Sequence, residues 1–271
     1  MVLEHKDLSR LLETAIVAAR AGGQHALEKI DYAKSAVKNG NELVTDADTQ
    51  CQRIIIEGIK ESYSDHGFLA EEGTGGGIFK QSPRGSDELW WVIDPIDGTN
   101  NFAKRIPLFA TSIAVMHKGE PVVGVIFLPA TDSMFTAVKA QEAQLNGRRI
   151  TVSAEKLTDF SCVGLYSHFK KPTPDWACRL LQRTKARNLG TTAVQLSYVA
   201  NGSLVGTIAG SQKLWDIAAG ALIVESAGGI VSDWNGEKVF PVDLDAYEGG
   251  QLAVLAANKK AQPELLELLK S

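Results

Sequence analysis

Cysteine is scarce in this chain. There are three among 271 residues, Cys51, Cys162 and Cys178, far apart and without CxxC spacing. An odd, scattered set excludes a disulfide framework and a cysteine zinc site. The five histidines (His5, His25, His66, His117 and His168) show no HxH or HExxH spacing, so no metal is assigned to them. An excess of positive charge is also missing: 28 Lys and Arg face 32 Asp and Glu, a formal net charge of −4. Non-specific nucleic-acid binding relies on clustered basic residues, so no nucleic-acid partner is expected. No apolar run approaches the ~18 residues of a membrane span; "VVGVIFLPA" is too short and ends at Pro129. The opening "MVLEHKDLSR" lacks the apolar core of a signal peptide. These absences point to a reduced, soluble, cytoplasmic protein with no membrane partner.

What is present is ordinary globular material, 44% hydrophobic and 22% charged, long enough for one large domain or two abutting ones. Residues 7–29 read as an amphipathic helix, with Leu8, Leu11, Leu12, Ala15, Ile16 and Ala19 on one stripe. "NGNELVTDADTQ" reads as a turn feeding a second helix over 47–62 that buries Ile54, Ile55 and Ile59. From 67 to 140 short β-rich segments dominate, with "HKGEP" as a tight hairpin between two of them. After 150 strands alternate with helices, among them "TTAVQLSYVAN", "WDIAAGALIVESAG" and a terminal "PELLELLK". The pattern divides into an α+β half, 1–150, and an α/β half, 151–271. No repeat, low-complexity tract or Pro/Ser linker separates them, so they should share an interface.

One stretch stands out. "WWVIDPIDGTNNF" drives four apolar side chains into Asp94, Pro95 and Asp97. Pro95 cannot donate to a ladder, so the strand should end near Asp94. "DGTNNF" then reads as a helix start, with Asp97 in the capping region and Gly98 permitting close approach. Unpaired N–H groups at such a start suit a phosphate. Beside them, carboxylates supply hard oxygen ligands, which favour Mg²⁺, Mn²⁺ or Ca²⁺ over zinc. "FLAEEG" repeats the device with Glu71 and Glu72, and "KLWDIAAG" sets Asp216 at a helix start. Each acid alone reads equally as a turn or cap residue. Together with Asp48 in "LVTDAD", they fit a shared metal centre better than independent accidents.

"WVIDPIDGTNNFAK" resembles the first signature of the inositol monophosphatase family, and "WDIAAGALIVESAGG" resembles its second, in the right order behind "LVTDAD" and "LAEEG". The resemblance spans about Leu43 to Gly229. It implies a layered αβαβα sandwich of the inositol monophosphatase and fructose-1,6-bisphosphatase type, commonly a homodimer. It further implies a Mg²⁺-dependent, Li⁺-inhibited phosphomonoesterase for a small phosphorylated metabolite, using two or three ions, with Mn²⁺ as an alternative. Carried over, Glu71, Asp94 and the Ile96 carbonyl would hold one ion; Asp94, Asp97 and Asp216 would hold another. Gly98 and Thr99 would donate backbone N–H groups to the phosphate. Thr99, held by Asp48, would with Glu71 orient and help deprotonate the attacking water.

The chain departs from the pattern where substrate is read. Seven residues before Asp216, inositol-type members usually carry a glutamate; here stands Ala209. Three before it, where animal enzymes have histidine, stands Lys213, either a solvated lysine or a cation for a second anionic group. "LGTTA" matches the substrate loop, so Gly190 and Thr191 are expected to contact substrate. These departures lean from inositol phosphate towards a substrate such as 3′-phosphoadenosine 5′-phosphate or another bisphosphate. The rival class is a non-catalytic, metal- or phosphometabolite-binding regulator. "TGGGIFKQSPRGS", 74–86, is expected to be a loop near the metal site.

Overall fold

A computed structural model describes residues 3–38, 42–84, 88–166, 169 and 172–270. His168 and the end of the expected 74–86 loop, residues 85 and 86, lie outside them. Seven α-helices form among the described residues: α1 (His5–Lys29), α2 (Asp46–Lys60), α3 (Thr99–Ala103), α4 (Asp175–Arg183), α5 (Thr192–Ala200), α6 (Leu214–Ser226) and α7 (Gln262–Lys270). None is long and apolar enough to cross a membrane.

Five layers result. The outer pair α1 and α2 lays Leu11, Ala15, Ile55 and Ile59 against Phe68, Trp91, Ile93 and Ile113 of an eight-stranded sheet. That sheet runs in the order 148–149, 144–145, 133–138, 120–128, 110–117, 89–97, 67–70, 79–81. Its pairs are antiparallel except Gly67–Ala70 beside Leu89–Asp97, which is parallel. Its other face, with Trp90, Val92 and Ala114, packs on α5 and α6. Behind these helices a five-stranded sheet runs 185–187, 162–165, 206–212, 252–257, 230–232. Trp176 of α4 and Leu265 of α7 cover its far side against Val163, Ile208 and Leu255. This is the expected αβαβα sandwich.

α6 explains its own place. "LWDIAAGALIVES" is apolar all round, and a helix of that kind belongs between two surfaces. Ile217, Ala218, Ala221 and Ile223 are fully buried in the core that joins both sheets.

Three local expectations need correction. The strand does not end at Asp94; Leu89–Asp97 continues through Pro95, and its pairing with Ala110–His117 shifts register between Asp94 and Asp97. A bulge is where a strand tolerates a missing N–H, and Thr111 Oγ donates to the Pro95 carbonyl at 2.9 Å. The stretch read as a turn before α2 includes a strand: Glu42–Thr45 pairs antiparallel with Ser35–Lys38. The 74–86 segment is not all loop: Phe79–Gln81 pairs with Phe68–Ala70 at the sheet edge.

Candidate metal centre

Parallel neighbours put the first two carboxylates side by side. Ala70 is the partner of Ile93, so Glu71, just past the end of its strand, follows the same pairing as Asp94, which continues the neighbouring one. Glu71 N–H donates to the Ile93 carbonyl at 3.3 Å. Gln52 then clamps the next residue: its Nε2 donates to the Glu72 carbonyl at 2.6 Å, and Glu72 N–H donates to its Oε1 at 2.8 Å.

The bulge at Pro95 turns Asp94 back on its own chain, where Oδ1 accepts from Ile96 N–H at 3.0 Å. Gly98 follows with φ of 100°, as the residue preceding α3. A Cβ there would be strained and would stand 3.1 Å from Thr191 Cβ. The Thr99 hydroxyl lies 3.1 Å from both Asp48 Oδ1 and the Ile96 carbonyl. Asp48 is the third residue of α2 and closes a capping box, with Thr45 N–H (2.8 Å) and Thr45 Oγ (2.5 Å) on its Oδ2. The pairing of Thr99 with Asp48, which the resemblance implied, is therefore present in the geometry.

Asp97 does not cap α3, as the sequence suggested. Its Oδ2 accepts from Ala193 N–H at 2.5 Å and from the Thr191 hydroxyl, so it sits at the start of α5. The donors expected to meet substrate there are partly engaged: Thr191 Oγ holds Asp97, and Gly190 N–H donates to Asn188 Oδ1 at 3.1 Å. Asp216, third in α6, accepts from Lys213 N–H at 2.8 Å.

Burial and mutual repulsion dominate the electrostatics. Burial, then Glu71, Asp97 and Asp216, pushes the Asp94 carboxyl well above the ordinary range. Burial, then Asp97 and Glu71, does the same to Asp216. Burial raises Asp97 to about 6 against the pull of the α5 donors, and raises Asp48 to about 7 against Thr45. Among the described residues no Lys, Arg or His forms a salt bridge with Asp94, Asp97 or Asp216. Several buried carboxylates without a basic partner fit a multivalent cation, and their oxygen donors suit Mg²⁺ or Mn²⁺. No three His, Cys, Asp or Glu side chains among the described residues already stand as a closed coordination set.

Two cavities flank the carboxylates. One, about 800 Å³, is lined by Asp97, Gly190, Thr191 and Thr192. The other, about 700 Å³, is lined by Glu71, Gly75–Gly77, Lys213 and Glu248. The candidate substrate residues are thus not all brought together: Lys213 lies on the Glu71 side, with Nζ 2.5 Å from the Gly249 carbonyl. Ala209 is fully buried, while Gly210–Gln212 after it reach the first cavity.

Sequence reasoning passed over two positioning residues. Gln52 follows Asp48 by one helical turn, and a buried glutamine on the apolar face of α2 is the signal that could have found it. The Tyr247 hydroxyl accepts from Leu214 N–H at 2.9 Å and donates to the Gly250 carbonyl at 2.7 Å. No local pattern announces that contact.

Comparison with known proteins identifies the class. The sequence profile of the inositol monophosphatase family matches residues 7–271. The chain belongs to the inositol monophosphatase family. It is 35% identical to the Nus factor SuhB of Escherichia coli strain K12, covering 96% of this chain and 98% of that one. With the Pasteurella multocida Nus factor SuhB it shares 37% identity, over 84% and 87% of the two chains. Among solved structures, the extragenic suppressor protein suhB from Bartonella henselae superposes with a TM-score of 0.86 at 28% identity, covering 97% and 99%. The Thermotoga maritima IMPase superposes with a TM-score of 0.84 at 29% identity, covering 97% of each chain.

Proposed function

We propose that the chain is a Mg²⁺-dependent phosphomonoesterase for a small phosphorylated metabolite, working in the cytoplasm as a homodimer. The observation that carries the reading is the group of buried carboxylates Asp94, Asp97 and Asp216: burial, and then Glu71 and Asp97, push Asp94 and Asp216 up, and no salt bridge among the described residues reaches the three aspartates. In this reading Glu71, Asp94, Asp97, Asp216 and the Ile96 carbonyl hold two or three Mg²⁺ ions, with Mn²⁺ as a substitute and Li⁺ as an inhibitor. When bound, Mg²⁺ neutralises phosphoryl charge and lowers the pKa of a coordinated water. The rest falls to the chain. Gly98 and Thr99 orient the phosphate through backbone N–H groups. The Thr99 hydroxyl, aligned by Asp48, positions the attacking water. Asp48, with a pKa of about 7, is suited to accept a proton near neutrality, assisted by Glu71.

Neither half holds the full set. Residues 1–150 bring Asp48, Glu71, Asp94, Asp97 and Thr99; residues 151–271 bring Asp216 and the loop of Gly190 and Thr191. The test is phosphate release from inositol 1-phosphate, 3′-phosphoadenosine 5′-phosphate, fructose 1,6-bisphosphate and histidinol phosphate. Each is assayed with Mg²⁺, with EDTA, and with Mg²⁺ plus Li⁺. Mg²⁺-dependent, Li⁺-sensitive release from one member is the expected result; metal binding without any release would overturn the reading. A second reading, a non-catalytic regulator on the same fold, draws on the relatives' name, Nus factor, which states no hydrolytic activity.

A further inference from the structure

A third cavity opens at the other end of the large sheet. Trp90 is near the start of the strand Leu89–Asp97, whose far end carries Asp94 and Asp97. At ~3.3 Å per residue, Trp90 stands roughly 20 Å from Asp97, out of reach of the carboxylate centre. The cavity, about 400 Å³, lies between Trp90 and the chain at 241–245. Its walls are pinned. Val242 N–H donates to the Gly119 carbonyl at 2.9 Å. A Cβ on Gly119, which has φ of 77°, would fall 2.6 Å from the Val242 carbonyl oxygen, so the two segments meet only at glycine. Asp245 N–H and Ala246 N–H donate to Asp243 Oδ1 at 3.0 and 3.1 Å, and Lys80 Nζ donates to the Asp245 carbonyl at 2.8 Å. A cavity held in this way is formed before anything enters it.

The floor holds a donor without an acceptor. Trp90 is 3% exposed, and its indole N–H has no hydrogen-bond partner among the described residues. The indole nitrogen is not one of the unpaired atoms sealed from solvent, so the N–H opens on the cavity that the ring lines. Buried indole N–H groups usually find an acceptor. Around it Pro241, Val242 and Leu244 supply apolar surface. The rim is acidic: Glu88, Asp243 and Asp245, all exposed, stand against one exposed lysine, Lys118. None of these four forms a salt bridge among the described residues. An occupant matched to this arrangement carries an oxygen acceptor on an apolar body, with cationic groups on either side. A metal ion would leave the indole donor unmet, and an anion would meet three like charges.

We infer that this cavity docks a basic segment of a partner protein, seating a tyrosine whose hydroxyl accepts from Trp90 N–H while flanking arginine or lysine side chains meet Glu88, Asp243 and Asp245. Tyrosine and arginine are the side chains that most often anchor interfaces, the first in a pocket and the second on carboxylates. The rim carboxylates face solvent, so the cations that pair with them lie outside the cavity, as neighbours of the seated residue along a chain do. The inference is independent of the phosphatase reading and needs no metal.

The test is fluorescence anisotropy of labelled, end-blocked tripeptides on the full chain: Arg-Tyr-Arg, Arg-Phe-Arg and Glu-Tyr-Glu. Arg-Tyr-Arg should bind saturably, at least about tenfold tighter than Glu-Tyr-Glu, and weaken as salt is raised. Arg-Phe-Arg, which lacks the acceptor, should bind severalfold more weakly than Arg-Tyr-Arg. The double variant Glu88→Gln with Asp245→Asn should lose severalfold in affinity for Arg-Tyr-Arg. Both side chains are exposed and Lys80 holds only the Asp245 carbonyl, so this variant keeps the fold and the cavity wall. Trp90→Phe should bind the tyrosine and phenylalanine peptides equally; if that variant fails to fold, the two peptides compared on the natural chain decide the role of the indole. Equal affinity for the basic and acidic peptides, or undiminished binding in the double variant, overturns the docking site. Equal affinity of the natural chain for Arg-Tyr-Arg and Arg-Phe-Arg overturns the seat on Trp90. Tyramine binding as tightly as Arg-Tyr-Arg would make a small amine the occupant and overturn the protein partner.

Discussion

At the scale of single residues, the site depends on small contacts that hold large charges in place. Replacing Asp94 by Asn removes the carboxylate shared between the two proposed ion sites while keeping its shape. We expect Mg²⁺-dependent turnover to vanish and the far-ultraviolet circular dichroism to stay unchanged; near-normal turnover would remove Asp94 from the metal assignment. Tyr247 acts more indirectly. Its hydroxyl satisfies Leu214 N–H, a first-turn donor of α6 two residues before Asp216. Tyr247→Phe leaves that donor and the Gly250 carbonyl unpaired, costing about 1–3 kcal/mol. Urea unfolding should show the loss, and calorimetry should show severalfold weaker Mg²⁺ binding. An unchanged Mg²⁺ affinity would make Tyr247 a purely structural residue.

At the scale of elements, α6 is the joint between the two sheets. Residues 217–224 are all buried, so a truncation there opens a cavity in the core that joins both sheets. Ile223 is fully buried there. Ile223→Ala should cost about 2–5 kcal/mol. The loss should appear as one shifted transition whether unfolding is followed by tryptophan fluorescence or by circular dichroism. Two separated transitions would mean that the sheets fold independently and that α6 belongs to only one of them. The same helix also carries Asp216, which couples packing of the middle layer to the carboxylate group.

At the scale of the whole molecule, negative charge gathered in the interior makes stability depend on pH and on cations. Asp97 and Asp48 have pKa values of about 6 and 7, above the ordinary 3.8. A carboxyl whose folded pKa is raised favours the fold while protonated, and that contribution is lost as pH rises through the raised value. In EDTA the Tm should therefore decline between about pH 4 and pH 7, by an amount on the order of a few kcal/mol in stability. Mg²⁺ offsets the repulsion, so its addition should raise Tm more at pH 8 than at pH 5. A Mg²⁺ effect independent of pH would contradict the proposed carboxylate centre.

Much of this was legible along the chain because it depends on local order. Apolar patterning marked α1, α2, α6 and α7, and the two signatures, with Asp48 and Glu71 ahead of them, nominated every carboxylate that the fold then gathers. Those acids stand at strand ends and helix starts, positions that turn chemistry and capping make visible in sequence. What the fold alone decided concerns direction and distance. Pro95 was read as a stop, yet pairing with 110–117 absorbed it as a bulge, and the bulge sent Asp97 to α5 instead of α3. Lys213 and Thr191 looked like two parts of one substrate site, but they line separate cavities, one beside Glu71 and the other beside Asp97. Tyr166 and Trp234 carry no motif, and 68 residues of chain separate rings whose centroids lie 6.1 Å apart. Residue type and spacing determine which chemistry a segment can offer; only packing across layers determines which segments share a cavity, because long-range contacts leave no period in the sequence.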